Sequence, residues 1–122
     1  MTLINLSTVS PTFSRKFPDS KKNTKEGDRV SYLCVAEGKP APNITWTFKG
    51  KNLTAEPPFV IQTTVLVSSD KLKTTQSSLA IEKVTWREGG TFSCLAFNDA
   101  GQKIQSTELE VECKFESLSG KQ

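Results

Sequence analysis

The segment from residue 30 to residue 46 reads VSYLCVAEGKPAPNITW and decides the fold. In its first part, every second residue is apolar or small, which is typical of a β-strand buried on one face. These residues are Val30, Tyr32, Cys34 and Ala36. Gly38-Lys39-Pro40-Ala41-Pro42 then predicts a turn, and the alternation resumes with Ile44, Trp46 and Phe48 facing inward. The segment therefore predicts two half-buried strands joined by a turn.

A second segment, residues 88 to 101, reads EGGTFSCLAFNDAG. It predicts a strand over Thr91–Asn98 whose inward side chains belong to Phe92, Cys94 and Ala96. Asn98-Asp99-Ala100-Gly101 predicts a hairpin turn, since Asn, Asp and Gly tolerate the backbone angles that such turns require. A further strand is expected to follow the turn and to run to Glu112.

These segments resemble the intermediate set (I-set) of immunoglobulin domains. Gly38 to Trp46 is similar to that set's G-x-P-x-P-x-[apolar]-x-W string, and Glu88 to Gly101 is similar to its D-x-G-x-Y-x-C-x-A-x-N-x-x-G string. With Glu26-Gly27 and Ser78-Leu79-Ala80-Ile81, the resemblance covers residues 11 to 112. It implies an all-β fold, an immunoglobulin-like Greek-key β-sandwich of two antiparallel sheets.

The resemblance also implies roles for particular residues. A disulfide between Cys34 and Cys94 would join the two sheets, with Trp46 packed beside it and Phe92 and Leu79 in the core. In the chain-entropy model, a crosslink that closes the long loop from Cys34 to Cys94 stabilises the domain by about 4 kcal/mol.

Two departures from the family pattern change the expectations. Phe92 stands where the family has a tyrosine whose hydroxyl bonds across the preceding corner, so we expect packing alone to hold that corner. Glu88 stands in place of the usual aspartate.

The long segment between Leu53 and Ser78 also departs from the family pattern, and the arrangement of strands within it is left open. Within it, Phe59–Val67 predicts either a strand buried on one face or an exposed edge able to add a partner strand.

Composition excludes several classes of function. The 122 residues are 35% hydrophobic and 24% charged, with a net charge of +3, as in an ordinary soluble domain. The diffuse charge does not favour nucleic acid. There is no histidine and no CxxC pair, so we expect no enzyme, no metal and no cofactor. A basic cluster is either a solvated loop or a contact for a sulfated glycan. It comprises Lys21, Lys22 and Lys25.

The chain is expected to divide into a flexible leader (1–10), an immunoglobulin domain (11–112) and a polar tail or linker (113–122). The start lacks the pattern of a secretory signal, which favours an excised fragment of a longer protein. Cys113 is an odd cysteine, which is expected either to pair with a neighbouring domain or another chain, or to be an inert thiol or a consequence of truncation.

The family resemblance implies a module that binds other proteins without covalent chemistry. Three N-x-[ST] acceptors, at Asn5, Asn43 and Asn52, favour an extracellular glycoprotein. We therefore expect an adhesion module from the ectodomain of a cell-surface membrane protein or receptor. Its partners would be neighbouring domains of the same chain, a second copy, or a receptor or ligand. An intracellular cytoskeletal or sarcomeric scaffold module and a passive spacer are the alternatives.

Strand alternation gives one candidate binding face. We expect it to carry apolar side chains from the last two strands, flanked by residues that follow Asn43. The apolar residues are Leu95, Phe97 and Ile104, and the flanking ones are Thr45, Thr47 and Lys49. The alternatives are that a neighbouring loop or strand covers these side chains or that they are isolated on the surface.

Overall fold

The computed structural model describes residues 8–17, 22–67 and 72–112, and in these ranges the chain forms two packed β-sheets. A 3-10 turn, Trp86–Glu88, precedes the eighth strand. The strands are β1 (Val9–Phe13), β2 (Lys22–Lys25), β3 (Val30–Lys39), β4 (Asn43–Phe48), β5 (Lys51–Asn52), β6 (Phe59–Val67), β7 (Lys73–Ile81), β8 (Gly90–Asn98) and β9 (Gly101–Glu112).

The strands form a four-stranded sheet in the order β1-β3-β7-β6 and a five-stranded sheet in the order β2-β9-β8-β4-β5. The predicted all-β sandwich is confirmed. One detail differs from the prediction of two antiparallel sheets, because β2 runs parallel to β9. The chain leaves the four-stranded sheet after β1 and joins the edge of the other sheet at β2, where its direction matches that of β9.

The core lies between the two sheets. A disulfide joins Cys34 on β3 to Cys94 on β8, and Trp46 lies directly opposite Cys94 in the β4–β8 ladder. The indole Nε1 of Trp46 donates to Ser77 Oγ at 2.8 Å, and Ser77 Oγ lies 3.0 Å from Thr63 Oγ1. This chain of hydrogen bonds satisfies the buried indole and joins the five-stranded sheet to both β7 and β6.

Leu79 and Phe92 are fully buried in the same core. The Phe92 ring lies 4.5 Å from that of Phe48 and 5.6 Å from that of Tyr32, measured between centroids. Such tilted aromatic contacts add stabilisation beyond the area that each ring buries.

The corner before β8 is not held by packing alone, so that expectation is wrong. Thr85 and Glu88 form a reciprocal capping box around the 3-10 turn. Glu88 Oε1 accepts from the backbone N–H of Thr85 at 2.7 Å and from its hydroxyl at 2.9 Å. Arg87 N–H donates to Thr85 Oγ1 at 3.2 Å. The side chain of Glu88 is long enough to return to the first residue of the turn, and it forms hydrogen bonds at the corner although Phe92 has no hydroxyl.

The open segment between β4 and β7 contains a very short strand and a long one. Lys49 and Gly50 both have positive φ, 52° and 82°, which is the geometry of a tight two-residue hairpin turn into β5. After Pro57-Pro58, β6 pairs with β7 along all nine residues and forms an edge of its sheet. The sequence predicts either a strand buried on one face or an exposed edge strand for this segment. The structure shows the edge strand.

The first strand begins at Val9, which pairs with Lys39 two residues before the predicted domain start at residue 11. Residues 1–7 of the predicted leader and the tail from residue 113 onward lie outside the described residues. Asn5, Lys21 and Cys113 are among them, and so is the side chain of Lys22. Of the predicted basic cluster, Lys25 lies in register with Glu112.

Candidate protein-binding surface

The outer face of the five-stranded sheet brings most of the predicted binding residues together. Residues directly opposite in an antiparallel ladder point to the same side of the sheet. Thr45 pairs with Leu95, and Leu95 pairs with Ile104. These three side chains form a row across β4, β8 and β9, in which Ile104 is 60% exposed and the other two are half-buried. We call them the central row.

A row containing Phe97 lies on one side of the central row. Phe97 pairs with Asn43 on β4 and with Gln102 on β9, and its ring is half-buried while Asn43 is exposed. The apolar part of the face therefore extends from the central row to Phe97 and is bordered by amide side chains.

A polar row lies on the other side of the central row. Thr47 pairs with Ser93, and Ser93 pairs with Ser106, with the two serine hydroxyl oxygens 2.7 Å apart. Because these two hydroxyls are already hydrogen-bonded to each other, the polar row is a preformed boundary of the apolar patch.

Lys49 does not join this face, contrary to the sequence-based prediction. Its left-handed backbone ends the alternation of β4, and its Nζ lies 5.2 Å from the centroid of the inward-facing Phe48 ring. The side chain also lies beside Gly90, where an added Cβ would come within 2.8 Å of the lysine Cε. Lys49 therefore covers the end of the sandwich through a cation–π contact.

Two glycan acceptors lie on the same outer face. Asn43 is exposed directly opposite Phe97, and Asn52 on β5 is exposed directly opposite Thr47. A glycan on Asn43 would thus stand beside the apolar patch, and one on Asn52 would stand beside the polar row.

Asn98 has a structural role that sequence reasoning identified only as a turn residue. Its Oδ1 accepts from the backbone N–H groups of Ala100 and Gly101, at 2.8 and 3.2 Å. Its Nδ2 donates to the carbonyl oxygens of Val9 and Pro40, at 2.8 and 3.0 Å. One side chain therefore joins the β8–β9 hairpin to β1 and to the turn after β3, and so connects the two motifs that carried the family resemblance.

Sequence reasoning also missed Trp86, which is largely exposed on the 3-10 turn beneath the Arg87 guanidinium. The sequence does carry a signal for Trp86, because this residue directly follows Thr85 and precedes charged residues. That pattern predicts a surface turn and not a core position.

In the described ranges, no three His, Cys, Asp or Glu residues are grouped so that they could hold a metal ion. No helix in those ranges is long and apolar enough to cross a membrane. Burial raises the pKa of Tyr32 to about 12, and its buried hydroxyl has no hydrogen-bond partner. Tyr32 is a core residue, and its raised pKa is a property of that core.

Comparison with known proteins gives the following similarities. A family model described as "Immunoglobulin domain" matches residues 11–98. Neural cell adhesion molecule 1 of Gallus gallus is 28% identical over 96 residues, which cover 79% of this chain and 8% of that protein. Muscle M-line assembly protein unc-89 of Caenorhabditis elegans is 27% identical over 109 residues, which cover 89% of this chain and 1% of that protein.

Among solved structures, the titin domains z1z2 in complex with telethonin share the fold. The TM-score is 0.70 at 23% identity, and the match covers 87% of this chain and 48% of the titin chain. The chain therefore spans a small fraction of the curated relatives, and its likeness to titin concerns the fold alone.

Proposed function

Because this chain belongs to the immunoglobulin-domain family, we propose that it serves as an extracellular protein-binding module of the intermediate set. The module would act within a larger cell-surface adhesion molecule or receptor, by non-covalent recognition of another protein. The small fraction of each relative that it spans, 8% for the chicken adhesion molecule, supports a role as one domain among several.

The central row carries this proposal. Ile104 is 60% exposed beside Leu95, on a face that also presents Phe97, the exposed Glu108, and Thr, Ser, Asn and Gln side chains. An apolar patch with a polar rim is the usual organisation of a protein contact, in which a few central side chains supply most of the binding free energy. The half-buried ring of Phe97 extends that patch.

The extracellular assignment is supported by the disulfide and the two exposed acceptors. Disulfides persist in oxidising compartments, and N-glycosylation occurs on secreted proteins. We propose that Asn43 and Asn52 are glycosylated, with Asn5 as a third acceptor.

The position of Asn43 makes its occupancy decisive for binding. It is the direct neighbour of Phe97, so an attached glycan would restrict access to the apolar patch. We therefore expect the form without a glycan at Asn43 to bind more strongly.

The test uses the glycosylated domain, tetramerised and applied to cells of its source tissue, with cell staining as the readout. We expect Ile104→Asp to reduce staining at least about 10-fold, because a charge would be desolvated at the centre of the contact, and Asn43→Gln to increase staining. Gln76→Asp, an exposed position on the four-stranded sheet, is the matched control. Equal staining by Ile104→Asp and the wild type would overturn the binding assignment of this face.

An intracellular scaffold module is the second candidate, favoured by the match to the muscle M-line assembly protein. The redox state separates the two. A non-reducing mass measurement on protein from its native source would show an oxidised Cys34–Cys94 pair for the extracellular module and two free thiols for the scaffold module. A spacer would have the oxidised pair but would give no staining that Ile104→Asp reduces.

A further inference from the structure

The two sheets have four edge strands, and three of them carry features that prevent pairing with another chain. In β1, Pro11 and a register shift between Val9 and Thr12 interrupt the ladder. β2 has four residues and both begins and ends with lysine, and β5 has two residues, one of which is Lys51. Short edges, proline, bulges and lysine are the devices by which proteins block edge-to-edge association.

The fourth edge, β6, has none of these devices. It is nine residues long, contains no charged residue, proline or glycine, and pairs with β7 without a register shift. Among the described residues, no strand lies along its other side. Val60, Val65 and Leu66 are 43%, 54% and 45% exposed. A long, straight, apolar edge with unpaired backbone groups is a template for another strand.

The sequence of β6 has a symmetry that selects the partner. It reads Phe59-Val60-Ile61, then Gln62-Thr63-Thr64, then Val65-Leu66-Val67, so three apolar residues, three polar and three apolar follow one another. If two copies run antiparallel with Thr63 at the centre, Val60 meets Leu66, Ile61 meets Val65, and Gln62 meets Thr64. Each apolar residue then faces an apolar residue, each polar one a polar one, and no like charges meet.

We propose that β6 pairs with β6 of a second copy, antiparallel about a two-fold axis at Thr63, and joins two four-stranded sheets into one of eight strands. A two-fold interface must be self-complementary, and the palindromic pattern supplies that property. The new ladder would add roughly eight to ten backbone hydrogen bonds. An unrelated extended peptide would not require the symmetry, so the pattern favours a second copy.

This surface is separate from the central row, which lies on the other sheet. Asn43 and Asn52 are also on that other sheet, where they lie on its outer face. The inference therefore goes beyond the proposed binding function, and the two can fail independently. Because one edge pairing buries little area, we expect a weak dimer, with a Kd of the order of 10–1000 μM.

The test is disulfide trapping of the full chain, in a Cys113→Ser background that removes the odd cysteine. Paired Cα atoms in an antiparallel ladder are about 4.5–5.5 Å apart, within the range that a disulfide bridges. Thr63→Cys would face its own copy and should form a crosslinked dimer under mild oxidation. Val60→Cys, exposed on the same strand, would lie about 20 Å from its copy and should give at least about 10-fold less dimer.

Two further variants complete the test. Val60→Cys mixed with Leu66→Cys should crosslink, since the proposed register makes them neighbours. Leu66→Lys, in the otherwise unaltered chain, should have the sedimentation-equilibrium mass of a monomer at concentrations where the wild type self-associates, with an unchanged circular dichroism spectrum. Folded Thr63→Cys that stays monomeric would overturn the proposal. Preferential crosslinking of Val60→Cys to itself would also overturn it, because that result would show a parallel register.

Discussion

Strands β7 and β6 lie side by side, each has nine residues, and they pair residue for residue, yet their surroundings differ sharply. Six residues of β7 are buried, whereas none of the described side chains of β6 is. Leu79 and Val65 both point to the inner side of the sheet, but Leu79 is fully buried and Val65 is 54% exposed. Strand alternation thus determines the side to which a residue points, while the opposite sheet determines whether anything covers it.

The cause of the difference is the length of β5. This two-residue strand is the edge of the five-stranded sheet next to β4, and it is too short to cover more than a small part of the inner side of β6. Near the start of β6, Phe59 still reaches the core, with its ring 6.2 Å from that of Phe92. Farther along, Thr63 and Val65 are exposed. One end of β6 therefore belongs to the core, and the rest is available for association.

The largest expected effect tests this contrast directly. Leu79→Ala should lower the free energy of unfolding by about 3 kcal/mol, because it removes a fully buried side chain and leaves a cavity. Val65→Ala should change it by less than about 0.5 kcal/mol, since the side chain already contacts water. Chemical denaturation of both variants provides the measurement. Similar losses in the two would mean that β6 is covered along its whole length.

Sequence reasoning placed β8 and the C-terminal part of β7 well because their signals are local. The alternation at Leu79 and Ile81, and at Phe92 and Cys94, determines which side of each strand is buried wherever the opposite sheet covers that strand. The exposure of β6 could not be read in this way, because it depends on where β5 ends. β5 begins directly after the turn at Lys49-Gly50 and has two residues, and both of these features lie outside β6.

The candidate binding face shows the same limit: alternation predicts the side to which a residue points only while the strand continues. Leu95 and Ile104 were placed correctly by alternation within their strands, and the ladder then brought them together. Lys49 was misplaced because its left-handed φ of 52° ends the strand one residue earlier than the alternation predicts. A lysine with positive φ has no clear signal in the sequence, although the glycine that follows it does favour a turn.

The second prediction concerns the burial of Tyr32 on the inner side of the four-stranded sheet. Tyr32 on β3 lies directly opposite Leu79, and burial raises its pKa to about 12 from an ordinary value of 10. Between these values the unfolded chain loses the phenol proton while the folded chain keeps it. The stability is therefore complete below pH 10 and falls as the pH rises, by about 2 kcal/mol at pH 12.

Tyr32→Phe isolates this effect. The variant should lose less stability than the wild type between pH 10 and 12, while lysine titration affects both chains alike. At neutral pH its stability should be equal or slightly higher, because the buried hydroxyl has no partner. The chain contains one tyrosine, so the ultraviolet absorbance of the phenolate reports its pKa directly. Titration near 10 in the folded protein would contradict the burial of the β3–β7 side.

The smallest expected effect tests the capping box in the 3-10 turn between β7 and β8. Thr85→Ala removes the hydroxyl that accepts from Arg87 N–H and donates to Glu88, and should lower the free energy of unfolding by about 1 kcal/mol. Glu88→Gln keeps an oxygen that can accept from Thr85 N–H, so it should cost less than Thr85→Ala. Thr91→Ala, at an exposed position on β8, serves as the control in the same denaturation series. If Thr85→Ala costs no more than Thr91→Ala, packing around Phe92 is sufficient to hold the corner. The capping box would then be dispensable for holding the corner.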